Sequence, residues 1–109
     1  MVAEENALFE VIMRYLNRLR QEIRVTRAIL FGSHALGEAL NTSDVDLVIL
    51  SPDFRGMNFL RRLELLARYW EPGLDADILG YTPEEFEEAS QKLTFLSEVK
   101  KTGQDITPP

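Results

Sequence analysis

The sequence predicts an α/β domain built in layers, and three observations predict it. Segments with helical periodicity alternate with short apolar segments of strand character, Gly and Pro punctuate most junctions, and 109 residues suit one domain. Residues 4–22 read as an amphipathic helix: Leu8, Val11, Ile12, Tyr15, Leu16, Leu19 and Ile23 recur at i, i+3, i+4 spacing. Arg18 and Arg20 stand near its C-terminal end, where the helix dipole favours cations. Residues 25–31 (VTRAILF) are β-branched and apolar, a strand stopped by Gly32. A short helix over 33–39 follows with Ser33 as its cap, then turn residues Asn41-Thr42-Ser43. Residues 44–50 (DVDLVIL) form the next strand, ended by Ser51-Pro52.

A second amphipathic helix spans 57–70, with Phe59, Leu60, Leu63, Leu66, Ala67 and Trp70 on one side, and Pro72-Gly73 breaks it. Residues 74–80 (LDADILG) read as a third strand. Thr82-Pro83-Glu84-Glu85 then combines a cap, a first-turn proline and a glutamate three residues after the cap, starting a helix that runs to about residue 90. A last helix near 94–101 ends before Gly103, residues 104–107 add a short edge strand, and Pro108-Pro109 is expected to fray. The whole chain, 1–109, is expected to be a single domain with its core over 4–107.

Composition narrows the function classes. Eighteen acidic residues against twelve basic ones give a net charge of −6, with no Lys/Arg stripe, so a nucleic-acid partner is not expected. The absence of cysteine excludes disulfides and thiolate metal sites, and a single histidine cannot build a His-rich zinc site. The N-terminus MVAEENALFE is acidic where a signal peptide is basic, and no apolar run approaches the ~20 residues of a membrane span. A soluble cytoplasmic domain without membrane contact is expected.

The chemistry lies in FGSHALGEALNTSDVDLVIL, residues 31–50. Residues two apart on a strand share a face, so Asp44 and Asp46 project together while Val45, Leu47 and Ile49 line the opposite face. Paired carboxylates repel each other unless a cation lies between them, and oxygen-only ligands select a hard ion such as Mg²⁺, which fills its octahedron with waters and phosphates. Gly32 allows close backbone approach, and Ser33 opens a helix whose free N–H groups suit an anion. Together these predict a Mg²⁺–nucleoside triphosphate ligand. Taken alone, an Asp-x-Asp or a Gly-Ser is ordinary turn chemistry. Their joint occurrence at this spacing has a chance frequency on the order of one in a thousand, and it falls in the expected strand context.

Gly32-Ser33, ten residues, then Asp44-x-Asp46 resembles the signature of the DNA polymerase β-like nucleotidyltransferase superfamily. The short chain is similar to its minimal members, the MNT-domain proteins. LFGS at 30–33, SDVDLVIL at 43–50, DILGYTPEEFEE at 77–88 and the helix-Gly close at 94–103 carry the resemblance over nearly the whole chain. It implies a small mixed β-sheet with flanking helices, the polymerase β palm-type fold. It also implies a third carboxylate on a neighbouring strand, for which Asp77 occupies the family position. Asp75, two residues earlier, reads as an exposed strand-start residue.

By this resemblance Asp44, Asp46 and Asp77 are metal ligands for two Mg²⁺ ions, with ATP as substrate. Asp77 also activates the incoming hydroxyl, while Gly32 and Ser33 bind the nucleotide. The implied partner is a small helical HEPN-domain protein in a toxin–antitoxin module, whose tyrosine receives AMP; homo- or hetero-oligomers are compatible with this. A binding-only antitoxin and nucleotidyl transfer to a small molecule are the alternatives. Family members often carry basic residues after Gly-Ser, where this chain has His34 and Leu36. Arg24, Arg27 and Arg55 are the candidates to supply the missing charge, and Tyr15, Trp70 and Tyr81 the candidates to stack on a base.

Overall fold

A computed structural model of the chain describes residues 2–32, 45–92 and 94–109, the side chains of 2–6 excepted. The expected helix 33–39, the turn at 41–43, and Ser33, His34, Leu36 and Asp44 lie outside the described residues. The elements run α1 (Val2–Leu19), β1 (Arg27–Phe31), β2 (Val45–Leu50), a 3-10 turn (Pro52–Phe54), α2 (Phe59–Arg68), β3 (Ala76–Tyr81), α3 (Pro83–Ser90), α4 (Phe95–Thr102) and β4 (Gln104–Asp105). The sheet is mixed, in the order β3-β2-β1-β4. β2 lies antiparallel to β1 and parallel to β3, and β4 pairs antiparallel with the other edge of β1. No helix among the described residues is long and apolar enough to cross a membrane.

Both faces of the sheet are covered, which explains why β2 reads as an almost unbroken apolar run. Ala28, Val45, Leu47, Ile49 and Ile78 face the layer made by α1, α2 and Phe54, where Ile12, Leu16, Leu19 and Leu66 pack against them. Ile29, Val48 and Leu50 face the other way, onto Phe86 of α3 and Leu96 and Val99 of α4. Period-2 alternation therefore sorts β2 into two cores, and a slip of one residue would exchange them.

The helix ends follow their local chemistry. Thr82 Oγ1 accepts from the Glu85 N–H while Glu85 Oε1 accepts from the Thr82 N–H, the predicted reciprocal cap. Asn58 caps α2 by accepting from the Arg61 N–H. α2 departs in part from the expected face: Leu66 is buried as expected, but Leu65 and Arg62 are buried with it, whereas Phe59 and Leu60 are exposed. The 3-10 turn, unforeseen in the sequence, precedes α2, which starts at Phe59. Glycine at 80 is dictated by packing, since a Cβ there would lie 2.7 Å from the Phe54 ring. At Pro109, where fraying was expected, an Arg20 guanidinium N–H donates to the carbonyl oxygen at 3.3 Å.

Candidate active site

The described site residues, Gly32, Asp46 and Asp77, lie at one end of the sheet, where β1 finishes and β2 and β3 begin. Phe31 pairs with Asp46 across the antiparallel ladder, and Asp46 pairs with Asp77 across the parallel one. Paired residues point to the same face, so one row carries Phe31, Asp46 and Asp77 across three strands about 4.8 Å apart. That face is the one covered farther along by α3 and α4, but neither helix seals its end. Asp46 is half-buried and Asp77 exposed.

Asp77 belongs to the otherwise apolar strand β3, where a buried charge would be costly. It stands instead at the open rim, where water hydrates it, and its register opposite Asp46 is what joins it to the site. Asp75, just before β3, is exposed and gives its carbonyl to the Val45 N–H, as its strand-start reading predicts.

Gly32 has a φ of +75°, in the left-handed region, and a Cβ at this position would lie 2.5 Å from Asp46 Oδ2. Glycine is therefore required twice, by backbone conformation and by the carboxylate packed against it. Gly32→Ala is expected to lower stability by about 1–2 kcal/mol from backbone strain alone. Because the methyl must also displace the Asp46 carboxylate, catalytic activity should fall by more than that destabilisation explains. Denaturation midpoints and initial transfer rates on the same preparation check this; a variant with unchanged rate would remove Gly32 from the site.

The donor set fits a hard divalent ion. Asp46 and Asp77 offer oxygen only, and one or two carboxylates are the usual protein share of a Mg²⁺ shell. Among the described residues no group of three or more His, Cys, Asp or Glu converges on a metal-sized space. The third member of the expected set, Asp44, lies outside them.

The arginine candidates lie elsewhere. Arg24 pairs with Asp53 at 2.8 Å and holds that carboxyl below its ordinary range by hydrogen bonding. Arg55 pairs with Glu84 at 3.3 Å, and both pairs sit at the far end of the sheet, beyond the C-termini of β2 and β3. Arg27 pairs with Asp105 and begins β1, four residues or about 13 Å from Phe31. None of the three reaches the carboxylate row.

The aromatic candidates also separate. Tyr15 is 1% exposed, donates to the Leu66 carbonyl at 2.7 Å, and burial pushes its phenol well above the usual value. Tyr81 packs on Phe59 at the far end of the sheet, its pKa raised by burial. Trp70 packs edge-on against Tyr15 and donates through Nε1 to the Leu74 carbonyl at 2.9 Å. Sequence reading missed the aromatic pair that does adjoin the row: Phe95 of α4 stacks on Phe31 with ring centroids 5.9 Å apart. Only the strand register reveals that adjacency.

The four-stranded mixed sheet with helices on both faces is the nucleotidyltransferase fold. A crystal structure of a candidate nucleotidyltransferase from Sulfolobus solfataricus superposes with a TM-score of 0.65 at 19% identity, covering 80% of this chain and 78% of that one. Residues 12–107 match the nucleotidyltransferase domain family, and the chain belongs to that family. No curated protein sequence matches it significantly. The family defines the activity class as nucleotidyl transfer, which generally uses a nucleoside triphosphate and a divalent metal.

Proposed function

We propose that this chain transfers AMP from ATP to a hydroxyl in a Mg²⁺-dependent reaction. The acceptor is a tyrosine of a small helical HEPN-domain partner, and the two form a cytoplasmic toxin–antitoxin pair in which this chain is the antitoxin. The observation that supports the chemistry is the in-register pair Asp46 and Asp77, with Gly32 packed against Asp46.

Asp46 and Asp44 would hold the metal–triphosphate, and Gly32 and Ser33 would bind the nucleotide. Mg²⁺, when bound, neutralises phosphate oxygens and eases departure of pyrophosphate. Asp77 orients the acceptor hydroxyl and takes its proton. The hydroxyl oxygen bonds to the α-phosphorus as the α–β bridging P–O bond breaks, and pyrophosphate leaves with the electron pair.

Clustered carboxylates repel one another, so the ligand-bound state is expected to be the more stable one. Mg²⁺–ATP at a hundred times its Kd should add about 2.7 kcal/mol and raise the melting temperature, with neither component sufficient alone. A melting curve indifferent to millimolar Mg²⁺–ATP would speak against the nucleotide site.

The deciding experiment incubates the protein with α-labelled ATP and Mg²⁺, with and without the product of the neighbouring gene. Label on the partner's tyrosine supports transfer. A second reading, neutralisation of the partner by binding alone, is favoured by the engagement of Arg24, Arg27 and Arg55 away from the row. A tight unlabelled complex would select it.

A further inference from the structure

β3 is an edge strand: among the described residues, no strand pairs with its outer side. Its inner side is fixed by the ladder, in which the Asp75 and Tyr81 carbonyls accept from the Val45 and Ser51 N–H groups. Backbone groups alternate sides along a strand, so those of Asp77 and Leu79 also face β2, and those of Ala76, Ile78 and Gly80 face outward. Arg62 closes the far end of this edge by donating to the Gly80 carbonyl at 3.2 Å. The N–H and C=O groups of Ala76 and Ile78 are left presented to the outside.

Natural proteins usually cover or charge such an edge. Here it forms the floor of an open cleft of about 640 Å³. The walls are apolar: Leu63, Ala67 and Trp70 come from α2 and its end, and Leu74 comes from the following loop. The Trp70 Nε1 bond to the Leu74 carbonyl ties those two walls together. Asp77, the end of the carboxylate row, lines the same cleft, with its carboxylate on the face of β3 away from α2. Glu71 also lines the cleft and the exposed Asp75 directly precedes Ala76, which makes this mouth acidic.

We infer that this cleft is the acceptor-docking site. It takes an extended polypeptide segment that adds as a strand to the outer edge of β3 and brings a hydroxyl side chain to Asp77. This rests on the nucleotidyl-transfer reading. Gly32 packs against Asp46 from the β1 side, which assigns the triphosphate to that side of the row and leaves the β3 side for the acceptor. Main-chain pairing to Ala76 and Ile78 gives affinity, apolar side chains of the segment fill the Leu63–Trp70–Leu74 walls, and the acidic mouth selects basic flanking residues. The same acidity, on a chain of net charge −6, opposes a second copy of this chain as the occupant.

Trp70 is the only tryptophan and stands in the cleft wall, so its emission reports occupancy directly. The intact protein is titrated with a short capped peptide of alternating valines, a central tyrosine and flanking lysines. A parallel titration uses the same peptide N-methylated at the amides facing β3. Saturable change in Trp70 emission is expected with the first, and affinity weaker by about tenfold or more with the second. Ala67→Phe, which fills the cleft from an exposed helical position, should abolish the peptide response and leave Mg²⁺–ATP binding unchanged. With α-labelled ATP, the tyrosine of the unmethylated peptide should take the label.

Equal binding of the two peptides, or no response to either, overturns edge docking. So does competition between Mg²⁺–ATP and peptide for Trp70, which would put the nucleotide in the cleft. Concentration-dependent self-association that moves the same emission would seat a second copy there and overturn it too. Binding without label overturns the acceptor role if the protein labels another acceptor. Failure of the wild type to bind Mg²⁺–ATP sinks the transfer reading and the acceptor role with it, whereas edge docking stands or falls on the peptide titration, which does not depend on nucleotide.

Discussion

Asp46→Asn is expected to lower the rate of AMP transfer at least a thousandfold, equivalent to about 4 kcal/mol of lost transition-state stabilisation. The substitution keeps size and shape, so the close approach to Gly32 and the half-buried packing remain, and only the negative charge is removed. The fold should stay intact, since the substitution is isosteric with the side chain packed against Gly32. The result is read as a single-turnover transfer rate beside a urea denaturation curve. Asp77→Asn provides the comparison. If Asp77 acts on the acceptor, its loss should slow transfer while leaving Mg²⁺–ATP affinity closer to wild type than Asp46→Asn does. A wild-type rate in Asp46→Asn would mean that the carboxylate row is not the reaction centre.

Arg62→Met is expected to produce the largest loss of stability from one side chain, about 3 kcal/mol. The Arg62 side chain is only 7% exposed, yet its guanidinium donates to the Met57, Gly80 and Phe54 carbonyls and to both oxygens of Glu85. It thereby ties the 3-10 turn, the end of β3 and the cap of α3 to one group. Removing it strands the buried Gly80 carbonyl and the part-buried Met57 carbonyl, while the Phe54 carbonyl keeps the Met57 N–H at 3.0 Å. Arg62→Lys should recover only part of the loss, because an ammonium cannot reproduce the planar fork.

The same network sets a pH dependence. The hydrogen bond from Arg62 is the main cause holding the Glu85 carboxyl below its ordinary 4.5. A depressed carboxyl stabilises the fold above its unfolded value, and the contribution is lost as pH falls through the folded value. The urea midpoint should therefore drop on acidification below about pH 4.5 more steeply in the wild type than in Glu85→Gln. Parallel profiles would mean that Glu85 adds nothing beyond its cap. Glu85 is partly exposed, so solvent screening keeps its own share well below that of Arg62.

The elements most legible from sequence were those whose signals are local. The cap, proline and glutamate of Thr82–Glu85 marked the start of α3, and the apolar run after Asp46 predicted a strand, which the fold buries on both faces. Period-2 alternation also assigned Asp46 to the face opposite Val45, Leu47 and Ile49, as the two cores confirm. Helical periodicity located α2 and put Leu66 in the core, but it put Phe59 and Leu60 there too and missed Leu65 and Arg62, the latter at a position that hydropathy assigns to solvent. A buried arginine cannot be read from its neighbours in sequence: its acceptors come from residues 54, 57, 80 and 85, which only folding assembles.

Residue order alone determined the alternation of helices and strands, the exclusion of thiolate and polyhistidine metal sites, and the presence of a Gly-Ser and three well-spaced aspartates. These follow from side-chain type and from periods of two and 3.6 residues, which need no long-range information. Tertiary structure decided that Asp77 lies in register with Asp46, that three candidate arginines are spent on carboxylates remote from it, and that the outer edge of β3, unpaired among the described residues, floors an apolar cleft. Each depends on which strand pairs with which and at what offset. That choice is made by the packing of two cores against a sheet, and no stretch of the chain encodes it by itself.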